Sequence, residues 1–295
     1  MLAALYGVVT GRAPDMLRAY LLAVLVQLVV VNTLAEFNYL QATFIPFFGI
    51  PTAVGGVIFG LGMTLAVGCV AAIFTRAGEG RLDQIVAALA FAVGAWASDN
   101  WLVQPLRYLL RGDTLITSLH RALGMDRWVV IAIIGVAAIL LVIRGHRHPY
   151  QGGWDWMQTG IFLGAVGVSA WVTSAATGRP YGLGTLQGSD NLATFFLERD
   201  LTALGWNLFV VVGIPIGSFV ASRLHGKPPA TAFRSKRILP AISGWLLMGL
   251  GATLAAGDNV SHGLSGAPLL AVSSLTFVVA MFAGAWAGIR LGWLR

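Results

Sequence analysis

"GLGMTLAVGC", residues 60–69, returns 189 positions later as "GLGATLAAGD", residues 249–258. The phrase is apolar and spaced by glycine; it ends once in the only cysteine of the chain and once in an aspartate. Both copies continue in parallel. The first runs on through "RAGEGRLDQIVAALAFAVGAWA" (76–97) and the second through "SGAPLLAVSSLTFVVAMFAGAWAG" (265–288), so that "GAWA" recurs at 94–97 and 284–287 with an offset of 190. One residue of slippage is too little for coincidence. The repeated unit is an apolar span, a short polar hairpin and a second apolar span, covering about 52–98 and 238–291 of one transmembrane domain, 1–295.

Composition decides what such a unit is. Of 295 residues, 57% are hydrophobic and 11% charged, against about 25% charged in soluble domains. Apolar windows of roughly 17–22 residues suffice to cross a ~30 Å hydrocarbon layer as helices. The expected fold class is therefore an all-α integral membrane protein with about eight transmembrane helices: 17–34, 52–67, 82–98, 128–143, 157–175, 203–221, 238–256 and 269–291. Residues 101–125, with Arg107, Arg111 and Arg121 beside Leu, Tyr and Trp, read as an interfacial amphipathic helix. The net charge of +7 does not point to nucleic acid, because Lys227 and Lys236 are the only lysines and no basic, aromatic-interleaved patch is present. A single cysteine excludes an intramolecular disulfide framework. The first apolar run lacks a small-residue cleavage site and reads as a retained span.

The cations set direction. Arg12, Arg18, Arg76, Arg81, Arg144, Arg147, Arg223, Lys227, Arg234, Lys236, Arg237, Arg290 and Arg295 all fall on one side if the N-terminus is cytoplasmic, whereas 35–51 and 257–268 hold no Lys or Arg. Both termini are expected inside, and only the loop after span three disagrees. Span two then runs inward and span seven outward, which makes the repeats inverted. Inverted repeats with interrupted helices are a transporter pattern, with the site near the bilayer midplane. Each first helix stops at a glycine, Gly68 or Gly257, before "CVAAIFTRAGEG" or "DNVSHGLSG". Folded back as short re-entrant helices near 69–77 and 259–265, these stretches aim N-terminal amides into the protein, an anion site built from backbone dipoles.

"FGLGMTLAVGCVAAIFTRAGEGRL" (59–82) resembles the G-x-x-L-A-x-G-C hairpin and following R-x-G-E-G of the YeeE/YedE family of thiosulfate and sulfur-compound permeases; "TGRPYGLG" (177–184) and "SHGLSG" (261–266) resemble its other signature stretches. The resemblance implies an hourglass-shaped inner-membrane transporter whose cysteines line a central constriction and contact a sulfur-containing anion. It also implies hand-over of the imported sulfur to a TusA-like cytoplasmic carrier. Cys69 matches the first-repeat cysteine. The second-repeat cysteine is Asp258 here, and the chain opens at "MLAALYGVVTG" as if partway through the family's N-terminal cysteine hairpin.

Individual residues carry more than one reading. Cys69 is a small buried hydrophobe or a thiol that touches an anion without trapping it, and its place at the head of a repeated hairpin favours the second. Asp258 either caps the helix starting at Asn259 or acts as a neutral or proton-exchanging acid in the path, and the two roles are compatible. Asn259 and Ser261 follow it on the same hairpin. His262 is a polar pore residue, a proton acceptor or a hydrogen-bonded core histidine, the last favoured. Arg76 and Glu79 pair at the cytoplasmic mouth or form an electropositive vestibule. The "RGHRH" run (144–148) is a positive-inside anchor rather than a metal site, since no acidic or Cys partner stands near it in sequence. No Walker motif or G-x-S-x-G elbow occurs, so neither enzyme chemistry nor a cofactor or metal is expected. Three functions compete: a permease for a small sulfur-containing anion, a transporter or channel for another solute that uses Asp258, and a membrane sulfur-transfer scaffold for a carrier protein.

The orientation has a direct check. In an Ala230→Cys variant, an impermeant thiol reagent should reach position 230 from the cytoplasmic side alone. Labelling from outside overturns the topology.

Overall fold

The computed structural model describes Leu2, Gly7 and residues 15–103, 118–144, 154–226 and 238–293. Among these the chain is helical and holds no strand. In order the helices are α1 (Asp15–Glu36), α2 (Ile50–Leu65), α3 (Val70–Gly78), α4 (Leu82–Ala97), α5 (Leu119–Leu123), α6 (Arg127–Arg144), α7 (Trp156–Ala176), α8 (Leu186–Leu197), α9 (Trp206–Leu224), α10 (Ile238–Ala255) and α11 (Val272–Arg290). π-helical turns at Ser98–Val103 and Ser261–Gly266 and a 3-10 turn at Leu201–Ala203 complete the described set. Six helical runs are long and apolar enough to cross a membrane: α1, Ile50–Gly78, α7, α9, α10 and α11. Spans 82–98 and 128–143 of the expected eight are present as helices α4 and α6 but are not among those six. Of the expected interfacial helix, 104–117 lie outside the described residues, as do Arg12, Arg147, both lysines, Arg234, Arg237 and Arg295. Arg121 sits on the five-residue α5, which buries nothing.

Glycine in the repeated phrase lets backbones touch. A methyl group on Gly55 would come within 2.5 Å of the Gly251 carbonyl, and one on Gly251 within 2.6 Å of the Gly55 carbonyl. The same reciprocity holds between Gly62 and Gly244, at 2.6 and 2.7 Å. Partner numbers fall as residue numbers rise, so α2 and α10 cross antiparallel at two backbone contacts. Shifted by 189, Gly55 becomes Gly244 and Gly62 becomes Gly251, so each contact maps onto the other.

The outer helices repeat the pattern. Gly60 of α2 lies against the backbone of Met281 and Ala285 on α11, and Gly249 of α10 against Phe91 and Ala95 on α4. These pairs too are related by 189 and 190. Each first helix therefore packs on the second helix of the other unit. With no hydrophobic drive between helices in lipid, such close van der Waals approach is what holds them together. Phe59, Phe91, Met63, Met248, Phe277 and Met281 fill the interior, with Phe59 and Phe277 edge to face at 5.5 Å between centroids.

Outside this four-helix centre, α1 packs on α7 through Gly160, Gly164 and Gly167, which take up Leu22, Val26 and Gln27. Helix α7 starts in a capping box: the Asp155 carboxylate accepts from the Gln158 amide at 2.7 Å and the Gln158 side chain accepts in return at 3.3 Å. The short α3 leans on α9, where Gly78 meets the Pro215 carbonyl and the Ser218 hydroxyl donates to the Thr75 carbonyl at 2.7 Å.

The glycine contacts generate a test. Gly60→Ala forces a methyl into the α11 backbone, an overpacking worth about 1–3 kcal/mol. Gly135 in α6 has nothing within 4 Å of an added methyl, so Gly135→Ala should be neutral or gain up to about 1 kcal/mol from helix propensity. Thermal unfolding in detergent should separate the two variants clearly. Equal melting temperatures would contradict the packing.

Candidate functional site

Both repeated phrases end in the same backbone device. In α2 the Gly68 amide donates to the Met63 carbonyl at 3.1 Å and the Val67 amide to the Thr64 carbonyl at 3.4 Å, with Val67 at φ 51°. In α10 the Gly257 amide donates to Ala252 at 2.9 Å and Ala256 to Thr253 at 3.1 Å, with Ala256 at φ 59°. The six-to-one bond and left-handed residue are those of a Schellman stop. A left-handed β-branched valine is a genuine outlier, and strain of this kind concentrates where function needs an abrupt turn. The chain then starts a new helix at once. Val70–Gly78 is nine residues long, about 14 Å at 1.5 Å per residue, less than half the hydrocarbon thickness. In the second unit, residues 259–260 and the π-helical Ser261–Gly266 form the equivalent short piece.

The two starts differ in one decisive way. Asp258 is completely buried and both carboxylate oxygens are occupied. Oδ1 accepts from the Val260 amide at 2.8 Å, the Ser261 amide at 2.7 Å and the Ser261 hydroxyl at 3.1 Å. Oδ2 accepts from the Thr185 amide at 2.9 Å and, in a short bond, from the Thr185 hydroxyl. The second half-helix is thus capped from within, in the manner expected of aspartate. Cys69 opens the first half-helix in extended backbone (φ −114°, ψ 163°) and makes no side-chain cap. Its own carbonyl takes the amides of Ala72 and Ile73 at 2.9 and 3.2 Å. The first two amides of this helix, on Val70 and Ala71, have no intrahelical acceptor by position.

The remaining expected residues separate. His262 is a satisfied core histidine. Its Nε2 lies 3.1 Å from the Ala255 carbonyl, which can only accept, so Nε2 donates; a neutral ring then accepts at Nδ1 from the Ser274 hydroxyl at 3.0 Å. The imidazole also stacks on Phe277 at 4.3 Å. Ser261 serves Asp258 and receives the Tyr181 hydroxyl on its carbonyl at 2.7 Å. Asn259 is buried with its Oδ1 unpaired among the described residues. Arg76 and Glu79 do not pair. Glu79 is the C-cap of α3, still in helical backbone with its amide on the Thr75 carbonyl at 3.1 Å, but it faces a different cavity from Arg76. Of "RGHRH", only the backbone of Arg144 is among the described residues.

The sequence reading missed the clamp around the second half-helix. Arg179 donates to the Ser174 hydroxyl and to the Tyr181 and Gly182 carbonyls at 2.8–2.9 Å, fixing the loop 177–185. From that loop Tyr181 and Thr185 reach Ser261 and Asp258, and the Ser265 hydroxyl donates to the Leu183 carbonyl at 2.7 Å. "TGRPYGLG" was the only signal. Tyr20 was missed as well. Its ring packs with Ala71 and Leu183 around Val260 and Leu264, and its hydroxyl is buried without a partner among the described residues. Both Cys69 and Asp258 lie within electrostatic reach of that hydroxyl. Ala71 and Val260, equivalent in the two units, line one cavity of about 1400 Å³ that opens between α7 and α9.

The capping geometry has a measurable consequence. An amide at 258 offers one acceptor where five donors converge, so Asp258→Asn leaves buried donors unpaired at about 1–3 kcal/mol. Its thermal unfolding should fall clearly below that of Cys69→Ala, which removes a side chain with no cap bond. An Asp258→Asn protein as stable as the parent would show that the carboxylate is not structural.

Comparison with known proteins agrees with the YeeE/YedE resemblance. The profile of the Sulphur transport family matches residues 1–287. The thiosulfate transporter TsuA of Escherichia coli is 28% identical over 301 residues, 95% of this chain and 85% of that protein. The thiosulfate transporter TsuA of Spirochaeta thermophila is 32% identical over 256 residues, 79% of this chain and 74% of that protein. The chain therefore belongs to the Sulphur transport family and is a multi-pass membrane transporter rather than an enzyme.

Proposed function

We propose that the chain is an inner-membrane permease for a small sulfur-containing anion such as thiosulfate, which passes a constriction at the start of α3 beside the Cys69 thiol. The units 52–98 and 238–291 form the two inverted halves of this path, with both termini cytoplasmic. Reciprocal glycine contacts and matching helix stops support the inverted relation. The observation that carries the reading is the contrast between the two half-helix starts: one is filled by its own carboxylate, and the other opens at a thiol that caps nothing.

The physics suits a permeant anion. Free amides at a helix N-terminus favour negative charge without a fixed cation. A thiol adds a weak donor. Conduction needs binding loose enough to release. Asp258 would repel the anion if exposed, but its charge is spread over five donors on the other half-helix. A carboxyl-based path for another solute is disfavoured for the same reason, since no lone pair is left to face a ligand. Service as a sulfur-transfer scaffold needs a thiol that a carrier protein can reach. Cys69 is 8% exposed and packed among Val70, Ile73 and Phe74, which favours permeation, with a TusA-like carrier receiving the anion only after release.

The test is growth on thiosulfate as sole sulfur source in a host stripped of its own sulfate and thiosulfate importers. The chain should restore growth, and Cys69→Ala should cut uptake about tenfold or more, the loss of one interaction of about 1.4 kcal/mol or more, at equal membrane abundance. Normal uptake by Cys69→Ala removes the thiol from the path.

A further inference from the structure

A second cavity, of about 270 Å³, lies behind the Gly68–Cys69 turn, between the end of α2 and the first turns of α4 and α10. Its polar lining comes from Arg76, Arg81, Asp83, Gln84 and Trp245. Charge is unbalanced there. Arg81 spends itself on Asp83, with Nη2–Oδ2 at 2.9 Å and Nε–Oδ1 at 3.3 Å, and Gln84 donates to the same carboxylate at 3.1 Å. The only carboxylate among the described lining residues is therefore committed. The guanidinium of Arg76, half-buried at the end of α3, has no ion pair or hydrogen bond among the described residues.

A second observation is independent of charge. Trp245 is 1% exposed, yet its indole N–H has no acceptor among the described residues. A buried donor left unpaired is costly, and native structures retain such groups rarely. Indole nitrogen only donates and guanidinium only donates, so the ligand that completes both is an acceptor with negative charge. Gln84 Oε1 is the one unpaired acceptor in the set, and a water carried with the anion satisfies it. At about 30 Å³ per water, the cavity admits a tetrahedral oxyanion with part of its hydration.

Position gives the cavity its role. The far edge of the Trp245 ring stands 3.2–3.5 Å from where a side chain on Gly68 would begin. Ala66 and Val67 of the turn that presents Cys69 line the cavity directly, and the Trp245 ring packs on Gly68 beside them. We propose that this cavity is a second anion station, holding thiosulfate or sulfate between Arg76 and the Trp245 N–H on the membrane face that carries Arg76 and Arg81. The assignment rests on the permease reading and extends it: an anion leaving the uncharged contacts at Cys69 is received by a fixed positive charge behind the turn, and multi-site occupancy lets each ion leave in turn.

The experiment is equilibrium binding of ³⁵S-thiosulfate and, separately, ³⁵S-sulfate to the purified chain in detergent, beside uptake in vesicles. The parent should bind two thiosulfate ions. Arg76→Gln should lose one of them, and Trp245→Phe, which keeps the packing ring, should weaken that same one by about tenfold, the scale of a charge-assisted hydrogen bond. Cys69→Ala should lose the other. Sulfate binding should depend on Arg76 in the same way even if vesicles take up no thiosulfate at all, a result that would sink the permease reading and leave the station standing. An Arg76→Gln protein that keeps every site of the parent, with Trp245→Phe binding undiminished as well, overturns the proposal; a single parent site that Arg76→Gln removes leaves the station standing without the Cys69 site.

Discussion

Everything in this molecule hangs on the backbone-to-backbone approach of α2 and α10 at Gly55–Gly251 and Gly62–Gly244. In lipid there is no hydrophobic gain from pressing two apolar helices together, so association depends on contact area and closeness. Removing the side chain at those four places brings carbonyls within van der Waals range of the opposing backbone. The crossing also fixes where each helix ends. Because the two contacts exchange under the sequence repeat, the stops at Val67 and Ala256 follow the same distance beyond them, and the two short helices begin on opposite sides of one centre.

From that centre the difference between Cys69 and Asp258 gains its meaning. Two structurally alike starts would make two alike anion seats. In the proposed permease Asp258 closes its seat, because the carboxylate supplies the acceptor that a passing anion would have supplied. Thr185, just ahead of α8, completes the closure from 73 residues away. On the proposed reading the path is asymmetric, with the polar, clamped half around 177–185 and 258–266 and the uncapped half around Cys69.

Much of this was legible in the sequence. The glycine-spaced phrase, its offset, the stop at Gly68 and Gly257 and the short helices beyond them all follow from local pattern. So did the capping reading of Asp258, since Asp ahead of a new helix is a local signal. What pattern could not supply were contacts between distant segments. Thr185 is an ordinary threonine until the fold places it on Asp258, and Tyr181 and Tyr20 are ordinary aromatics in apolar surroundings. Trp245 reads as core, and only its unpaired N–H says otherwise. Arg76 and Glu79 keep helical spacing at the end of α3, but their side chains line different cavities, which local pattern does not reveal. Of the two expected spans outside the six, α4 is a helix of 16 residues and α6 one of 18.

The central claim is that the anion sits at the start of α3 and not at the start of the capped half-helix. A structure of the chain determined with thiosulfate present tests this most directly. The account predicts density for the anion within hydrogen-bond distance of the Cys69 thiol and the Val70 and Ala71 amides, with Asp258 still held by Thr185, Val260 and Ser261. An anion bound at the Val260 and Ser261 amides, with Asp258 turned away, would contradict it.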